Sequence, residues 1–367
     1  MSESYLPDLA SRELGGGVVA ANDELFAERE NLIKPAPPVF QPHTFGPKGQ
    51  LMDGWETRRR RAPGFDHAIV RLGCPGVVRR VVIDTAFFTG NYPPDASVEA
   101  CGMAGHPSPE ELSGADWTTL VPRCKLAGDT AHEFPVENPH RFTHVRLSIY
   151  PDGGVARLRV FGEVVVDPRL LPATFDLAAL EHGARILDCS NSFYSTPNNL
   201  IKPGLARVMG DGWETARRRD DGNDWVSLEL ACAGRPTLAE IDTTHFIGNA
   251  PGWAGLTGWG GPSSAELPLL PRTRLQPDTR HRFPLDGREA ARVRLDVFPD
   301  GGVSRLRLYG APTEAGRAAL LLRFANTIPD SQLAELAGGP GRASGARPYG
   351  QVDELPDTLR SWLGPPG

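Results

Sequence analysis

The same nine-residue run occurs twice in this chain, as Asp53-Gly-Trp55-Glu56-Thr57-Arg58-Arg59-Arg60-Arg61 and as Asp211-Gly-Trp213-Glu214-Thr215-Ala216-Arg217-Arg218-Arg219, identical at eight of nine positions. Such a repeat requires two copies of one module, each burying its own core. The mixture of carboxylates, one aromatic and a row of guanidiniums marks a polar site in that module. The match extends well beyond the run. Asn31-Leu-Ile-Lys-Pro35 returns as Asn199-Leu-Ile-Lys-Pro203 at an offset of 168, and Ile83-Asp84-Thr85, Phe88, Gly90 and Asn91 return as Ile241-Asp242-Thr243, Phe246, Gly248 and Asn249 at 158. Pro151-Asp-Gly-Gly-Val155 returns as Pro299-Asp-Gly-Gly-Val303 at 148, so the first copy has gained ten residues between Pro35 and Met52 and ten more between Asn91 and Pro151. Insertions in Pro-, Gly- and Ser-rich stretches are expected on surface loops.

With 367 residues and 40% hydrophobic content the chain can bury ample core, and a repeat of this length is an ordinary domain. The expected division is residues 1–170 for the first repeat, 171–335 for the second, and a flexible Gly- and Pro-rich tail over 336–367 that ends in a short docking segment. A net charge of −6 gives no diffuse attraction to nucleic acid or to an anionic membrane. No apolar run reaches the roughly 20 residues needed to span a bilayer, and the start has neither a basic n-region nor an apolar h-region. The five cysteines Cys74, Cys101, Cys124, Cys189 and Cys232 are odd in number, form no Cys-x-x-Cys pair, and only Cys74 and Cys232 are equivalent between copies. Free thiols in a reducing, cytoplasmic setting are therefore expected.

Val145 to Tyr150 and Val155 to Gly162 alternate apolar with polar on either side of Pro151-Asp-Gly-Gly, which predicts a hairpin, and the second copy repeats it around Pro299. Ala68–Leu72 and Val77–Ile83 read as further strands. Helical pattern is confined to Asp23–Glu30 and Glu314–Ala325. Many short strands, with 41 Gly and 35 Pro to mark the turns, predict an all-β protein of two tandem jelly-roll sandwiches.

The duplicated Asp-Gly-Trp-Glu-Thr block, the Ile-Asp-Thr-x-x-Phe-x-Gly-Asn strand end and the Pro-Asp-Gly-Gly turn together resemble the allantoicase family, from about Leu9 to Gly310. The resemblance implies an enzyme of purine (allantoin) degradation that hydrolyses allantoate to ureidoglycolate and urea. It also implies two jelly rolls like galactose-binding and discoidin modules, and a homo-oligomer. It carries over no catalytic residues and no cofactor, and the Gly/Pro tail lies outside it.

Allantoate has a carboxylate and two ureido groups on one carbon. A guanidinium fork suits the first and Asp, Glu or Asn acceptors suit the second. If the block after Trp55 is extended, Arg60 and Arg218 share a face with Glu56 and Glu214. Arg60 or Arg218 is then expected to grip the carboxylate while Glu56 or Glu214 moves a proton. Asp53, Asp211, Asn91 and Asn249 are further substrate-binding candidates, and Asp84, Asp242 and His245 further catalytic ones. The bland alternatives are a structural salt-bridge lattice for the Glu and Arg block, core packing for Trp55 and Trp213, and turn caps for Asp84 and Asp242. His140-Arg-Phe-Thr-His144 has helical ligand spacing but leads into a strand, where four residues span roughly 13 Å, so no metal is expected there. No cofactor is expected, and chelation is the check on a divalent metal. The rival functions are a non-catalytic tandem ligand- or carbohydrate-binding protein and a related ureide hydrolase.

Overall fold

The computed structural model describes residues 5–47, 49–261, 264–338 and 347–363. Each repeat is a jelly-roll sandwich organised by one long bent strand. In the first repeat this is Asp66–Asp84, a single strand where the sequence reads as two. Its early part pairs antiparallel with Gly17–Ala21 and Arg141–Tyr150, and its late part with Arg157–Val164 and Ala131–Pro135. The register breaks between Arg71 and Gly76. A side chain there meets backbone: a Cβ on Gly73 would lie 2.4 Å from the Leu14 carbonyl and one on Gly76 2.1 Å from that of Glu163. Glycine thus lets the strand bend from one sheet into the other.

Arg141–Tyr150 continues to Asp95–Cys101 and then Thr118–Lys125, giving one five-stranded layer. Ala68, Val70, Val98 and Leu147 from that layer and Val81, Ile83, Leu158 and Val160 from the other are completely buried. Each of these Val, Leu and Ile side chains contributes roughly 1.5–3 kcal/mol on burial. The second repeat follows the same plan on Asp224–Asp242, which pairs with Arg185–Cys189, Ala290–Phe298, Arg280–Pro284 and Arg305–Pro312.

The Pro-Asp-Gly-Gly turn is not a hairpin. Its flanking strands, Arg141–Tyr150 and Arg157–Val164, pair with different parts of Asp66–Asp84 and not with each other. The turn is an arch between sheets, and its own Gly154–Val155 pairs with Trp55–Glu56. Period-two alternation identifies strands but not their partners, which is why the two geometries read alike. Asp23–Glu30 is likewise not helical. The Asp23 carboxylate accepts from the backbone N–H of Leu25 and Arg58, and Ala27 bridges to Glu56, leaving one 3₁₀ turn at Arg29–Ile33. Glu314–Thr327 is an α-helix as its pattern predicts.

The first insertion forms a small ribbon, Phe45–Gly46 with Gly49–Gln50. The second contains the helix Pro109–Ser113, closed by a Ser108–Glu111 capping box. It is more than a surface loop: Leu112 is completely buried against Ile69 and Cys101.

The chain divides into two compact units, one of residues 7–165 with 327–338 and one of residues 5–6, 166–326 and 347–363. The boundaries therefore differ from a simple cut at 170 and 335. The helix Asp330–Ala337 belongs to the unit of the first repeat, with Leu333 fully buried and Pro329 against Gly102. Residues 347–363 pack in the unit of the second repeat, where Leu355 and Leu359 are buried and Trp362 lies 6.1 Å from Phe324. Apolar side chains spaced along the supposed tail hold it down. Its Gly-rich stretch, 339–346, lies outside the described residues.

No disulfide joins the cysteines, and no described helix is long and apolar enough to cross a membrane. Burial pushes the Cys101 and Cys232 thiols up to about 12. In native protein at pH 8 both are expected to alkylate at least about a hundredfold more slowly than in the unfolded chain, because thiolate is the reacting species. Peptide mapping after timed labelling with iodoacetamide measures this, and rapid native labelling of Cys101 would contradict its burial.

Candidate functional site

The three duplicated motifs converge on one buried ring. Phe88 has no exposed surface, and a Cβ would come within 2.7 Å of it from Gly54 and 2.0 Å from Gly154. Phe246 is held in the same way, at 2.7 Å from a Cβ on Gly212 and 1.9 Å from one on Gly302. Gly153 and Gly301 have φ of 143° and 132°, open to glycine and strained for other residues. Thr57 fastens the arch by donating its backbone N–H to the Gly153 carbonyl (3.1 Å) and accepting the Gly153 N–H at Oγ1 (3.2 Å). Thr215 and Gly301 repeat the side-chain contact at 3.0 Å. Asn31 Nδ2 and Asn199 Nδ2 donate to the carbonyls of Gly54 and Gly212, both at 2.8 Å. Trp55 and Trp213 are core residues whose indole N–H groups donate to the carbonyls of Asp23 and Asn191.

This knot presents Glu56 and Asn91 side by side. Asn91 Nδ2 donates to Glu56 Oε1 at 2.6 Å, while the Asn91 carbonyl accepts the Gly154 N–H at 2.8 Å. Asn249 Nδ2 donates to Glu214 Oε1 at 2.5 Å, and its carbonyl accepts from Gly302. Both glutamates are half-buried. Burial pushes the Glu56 carboxyl above its ordinary value, with the bond from Asn91 opposing. Exposed apolar groups flank each pair. Phe26 donates its backbone N–H to the Glu56 carbonyl, and Phe87 stacks on Phe40 at 5.7 Å. In the second copy Tyr194, Met209 and Ile247 take such places.

The other candidates have internal partners. The strand pairing of the polar block lasts only two residues, Trp55–Glu56, so alternation does not carry the facing of Glu56 on to Arg60. Arg60 Nη1 pairs instead with Asp66 Oδ1 at 2.5 Å, and its backbone N–H goes to Asp152 at 2.8 Å. Arg218 pairs with Asp224 at 2.9 Å and grips Asp220 through two nitrogens. Both guanidiniums are thus engaged by the chain's own carboxylates. Asp66 and Asp224, 1% and 0% exposed, and the buried Arg157 and Arg305 are the residues that sequence reasoning passed over. Their identity in both copies was the available signal.

Arg157 donates to the Asp53 carbonyl and carboxylate (2.8 and 2.7 Å), and Arg305 donates to the Asp211 carbonyl (2.7 Å). Burial works against the Asp53 charge, yet bonds from Arg157 and Lys34 hold its carboxyl below the usual range. Asp211 is held low likewise, chiefly by the backbone and side chain of Arg207 against its burial. Asp84 and Asp242 cap turns by accepting the N–H groups of Ala86 and Thr244, both at 2.8 Å. His245 sits at positive φ with its Nε2 3.1 Å from the Ala206 carbonyl. Among the described residues no three His, Cys, Asp or Glu side chains converge as a metal site. Glu56 with Asn91 and Glu214 with Asn249 are thus the acid–amide pairs that the block forms in both repeats with the strand-end motif.

The allantoicase-repeat family model matches residues 7–165 and 175–313. A probable allantoicase of Nocardia farcinica is 56% identical over 310 residues, covering 83% of this chain and 94% of that protein. One from Streptomyces coelicolor is 53% identical over 331 residues, covering 86% and 88%. The crystal structure of allantoicase from Saccharomyces cerevisiae superposes with a TM-score of 0.72 at 33% identity, covering 83% of this chain and 92% of that one. Matched in both repeats, and sharing more than half of its aligned residues with such a relative, the chain belongs to the allantoicase family.

Proposed function

We propose that this protein hydrolyses allantoate to ureidoglycolate and urea in purine degradation, and that a glutamate held by an asparagine is where the proton moves. The observation that carries the site is the duplicated Glu–Asn pair. An amide N–H beside a half-buried carboxyl matches the carbonyl and N–H edge of a ureido group. The C–N bond breaks as the protonated glutamate gives its hydrogen to the leaving urea nitrogen, while the lone pair of the other ureido nitrogen supports the carbon. Water then forms the new C–O bond and returns a proton to the carboxylate. A carboxyl lifted by burial suits the first step. Arg60 and Arg218, held on buried aspartates, act by fixing the loop that carries the pair and do not grip the substrate.

Each proton in this scheme is carried by a side chain or by water, so no cofactor enters it. Purified protein given allantoate is expected to release urea, with and without EDTA. No release would overturn the function, and loss on chelation restored by a divalent ion would add a metal. Free cysteines fit a cytoplasmic setting, and a homo-oligomer fits the exposed Val39, Phe45 and Leu51 of the first insertion, whose size light scattering measures.

A further inference from the structure

We infer that the two Glu–Asn pairs are not equivalent: Glu56 and Asn91 in the first repeat carry the reaction, and in the second repeat Met209 occupies the asparagine amide that the substrate would need. This rests on the function proposed above and deepens it.

The difference begins with the first insertion. In the second repeat the short connection after Pro203 brings Ala206 and Met209 onto the turn that carries Asn249. Met209 Sδ lies 3.4 Å from Asn249 Nδ2, whose other bond goes to Glu214, so both amide hydrogens have a partner within the chain. The Ala206 carbonyl takes His245 Nε2 at 3.1 Å, while the His245 backbone N–H goes to Asp278 Oδ1 at 2.8 Å just as that of Phe87 goes to Asp129 Oδ1 in the first repeat. The imidazole is therefore a strut, with Nε2 committed to the Ala206 backbone.

In the first repeat the ten added residues lengthen the connection, which forms the ribbon Phe45–Gly46 with Gly49–Gln50. Phe87 replaces His245 and stacks on Phe40. Leu51 stands at the position of Met209; both side chains are exposed, 51% and 44%, but leucine has no acceptor to offer the Asn91 amide as Met209 Sδ does for Asn249. Asn91 is exposed where Asn249 is half-buried, and among the described residues its Nδ2 has Glu56 as its one acceptor. The second amide hydrogen can then meet a ureido carbonyl, with the Glu56 carboxyl beside the nitrogen that must be protonated as the C–N bond breaks. Burial already biases Glu56 toward its protonated form.

Glu56→Gln and Glu214→Gln in the full-length chain separate the copies, with thermal melts to confirm folding. E56Q is expected to lower kcat for urea release at least about a hundredfold, the size typical of a lost general acid. E214Q is expected to stay within about threefold of wild type. Asn91→Ala and Asn249→Ala provide the same comparison if a glutamine variant fails to fold, with the larger loss at Asn91. Equal losses in the two repeats, or a larger loss in the second, would overturn the inference while leaving the Glu–Asn reading intact. Full activity in both glutamine variants would overturn both. Absence of urea release from the wild type would remove the function itself.

Discussion

Gly154→Ala is expected to destabilise the first repeat by on the order of 3 kcal/mol or more, and Gly302→Ala the second by as much. The new methyl would lie 2.0 Å from Phe88 Cε1, or 1.9 Å from Phe246 Cε1. Neither ring has exposed surface into which it could turn. Forcing a methyl into packed core typically costs about 1–3 kcal/mol and occasionally more, and here backbone must move as well. Gly90 and Gly248 provide the control. Nothing lies within 4 Å of a Cβ at either, so alanine there is expected to change stability by no more than about 0.5 kcal/mol. Urea-denaturation midpoints of the four variants give the comparison. If G154A unfolded at the wild-type midpoint, the arch would not be seated on Phe88 as described.

The second large effect concerns acid. His144 is buried between Arg71 and Cys101 on the neighbouring strands, with Thr143 Oγ1 2.8 Å from its Nδ1. Burial first, and then the Arg71 charge, push its pKa down to about 4. The neutral ring is thus the folded form, whereas the unfolded chain takes up a proton near pH 6.5. Between those values the unfolded state binds more protons, so stability falls as pH drops from about 6.5 to about 4 and this contribution is constant below. The loss amounts to about 3 kcal/mol. In His144→Gln it is expected to be absent, so the wild-type minus variant difference between pH 7.5 and pH 4 isolates it from the carboxylates. Parallel stability curves for the two proteins would place the imidazole in water.

Much of the scaffold was legible because duplication tests each reading twice. The strands, the core tryptophans and the Asx turns at Asp84 and Asp242 follow from local pattern. The single mismatch in the nine-residue run is also intelligible after the fact. Arg58 forms an ion pair with Asp23, and where Ala216 replaces it the equivalent acceptor is the uncharged Asn191, which takes the Ala216 N–H at 3.1 Å. Sequence pattern misleads where local geometry does not persist. Alternation does not extend past Glu56 because the strand ends there, and a glycine arch reads like a hairpin because pattern does not show whether the strands that flank a turn pair. The repeated Asp66 and Asp224 were passed over because nothing local distinguishes a buried counter-ion from a surface acid. That Met209 meets the Asn249 amide while Asn91 stays exposed depends on where an insertion of unremarkable composition runs, which pattern alone does not encode.

The return of residues 327–338 to the unit of the first repeat has a consequence for biosynthesis. At about 5–20 residues per second, that segment emerges from the ribosome roughly ten to thirty seconds after Val165. The earlier-made sandwich must wait with Gly102 and its surroundings uncovered while the whole later one is translated. Nascent chains arrested just before Thr327 should therefore show the amino-terminal half cleaved by protease faster than in the released protein.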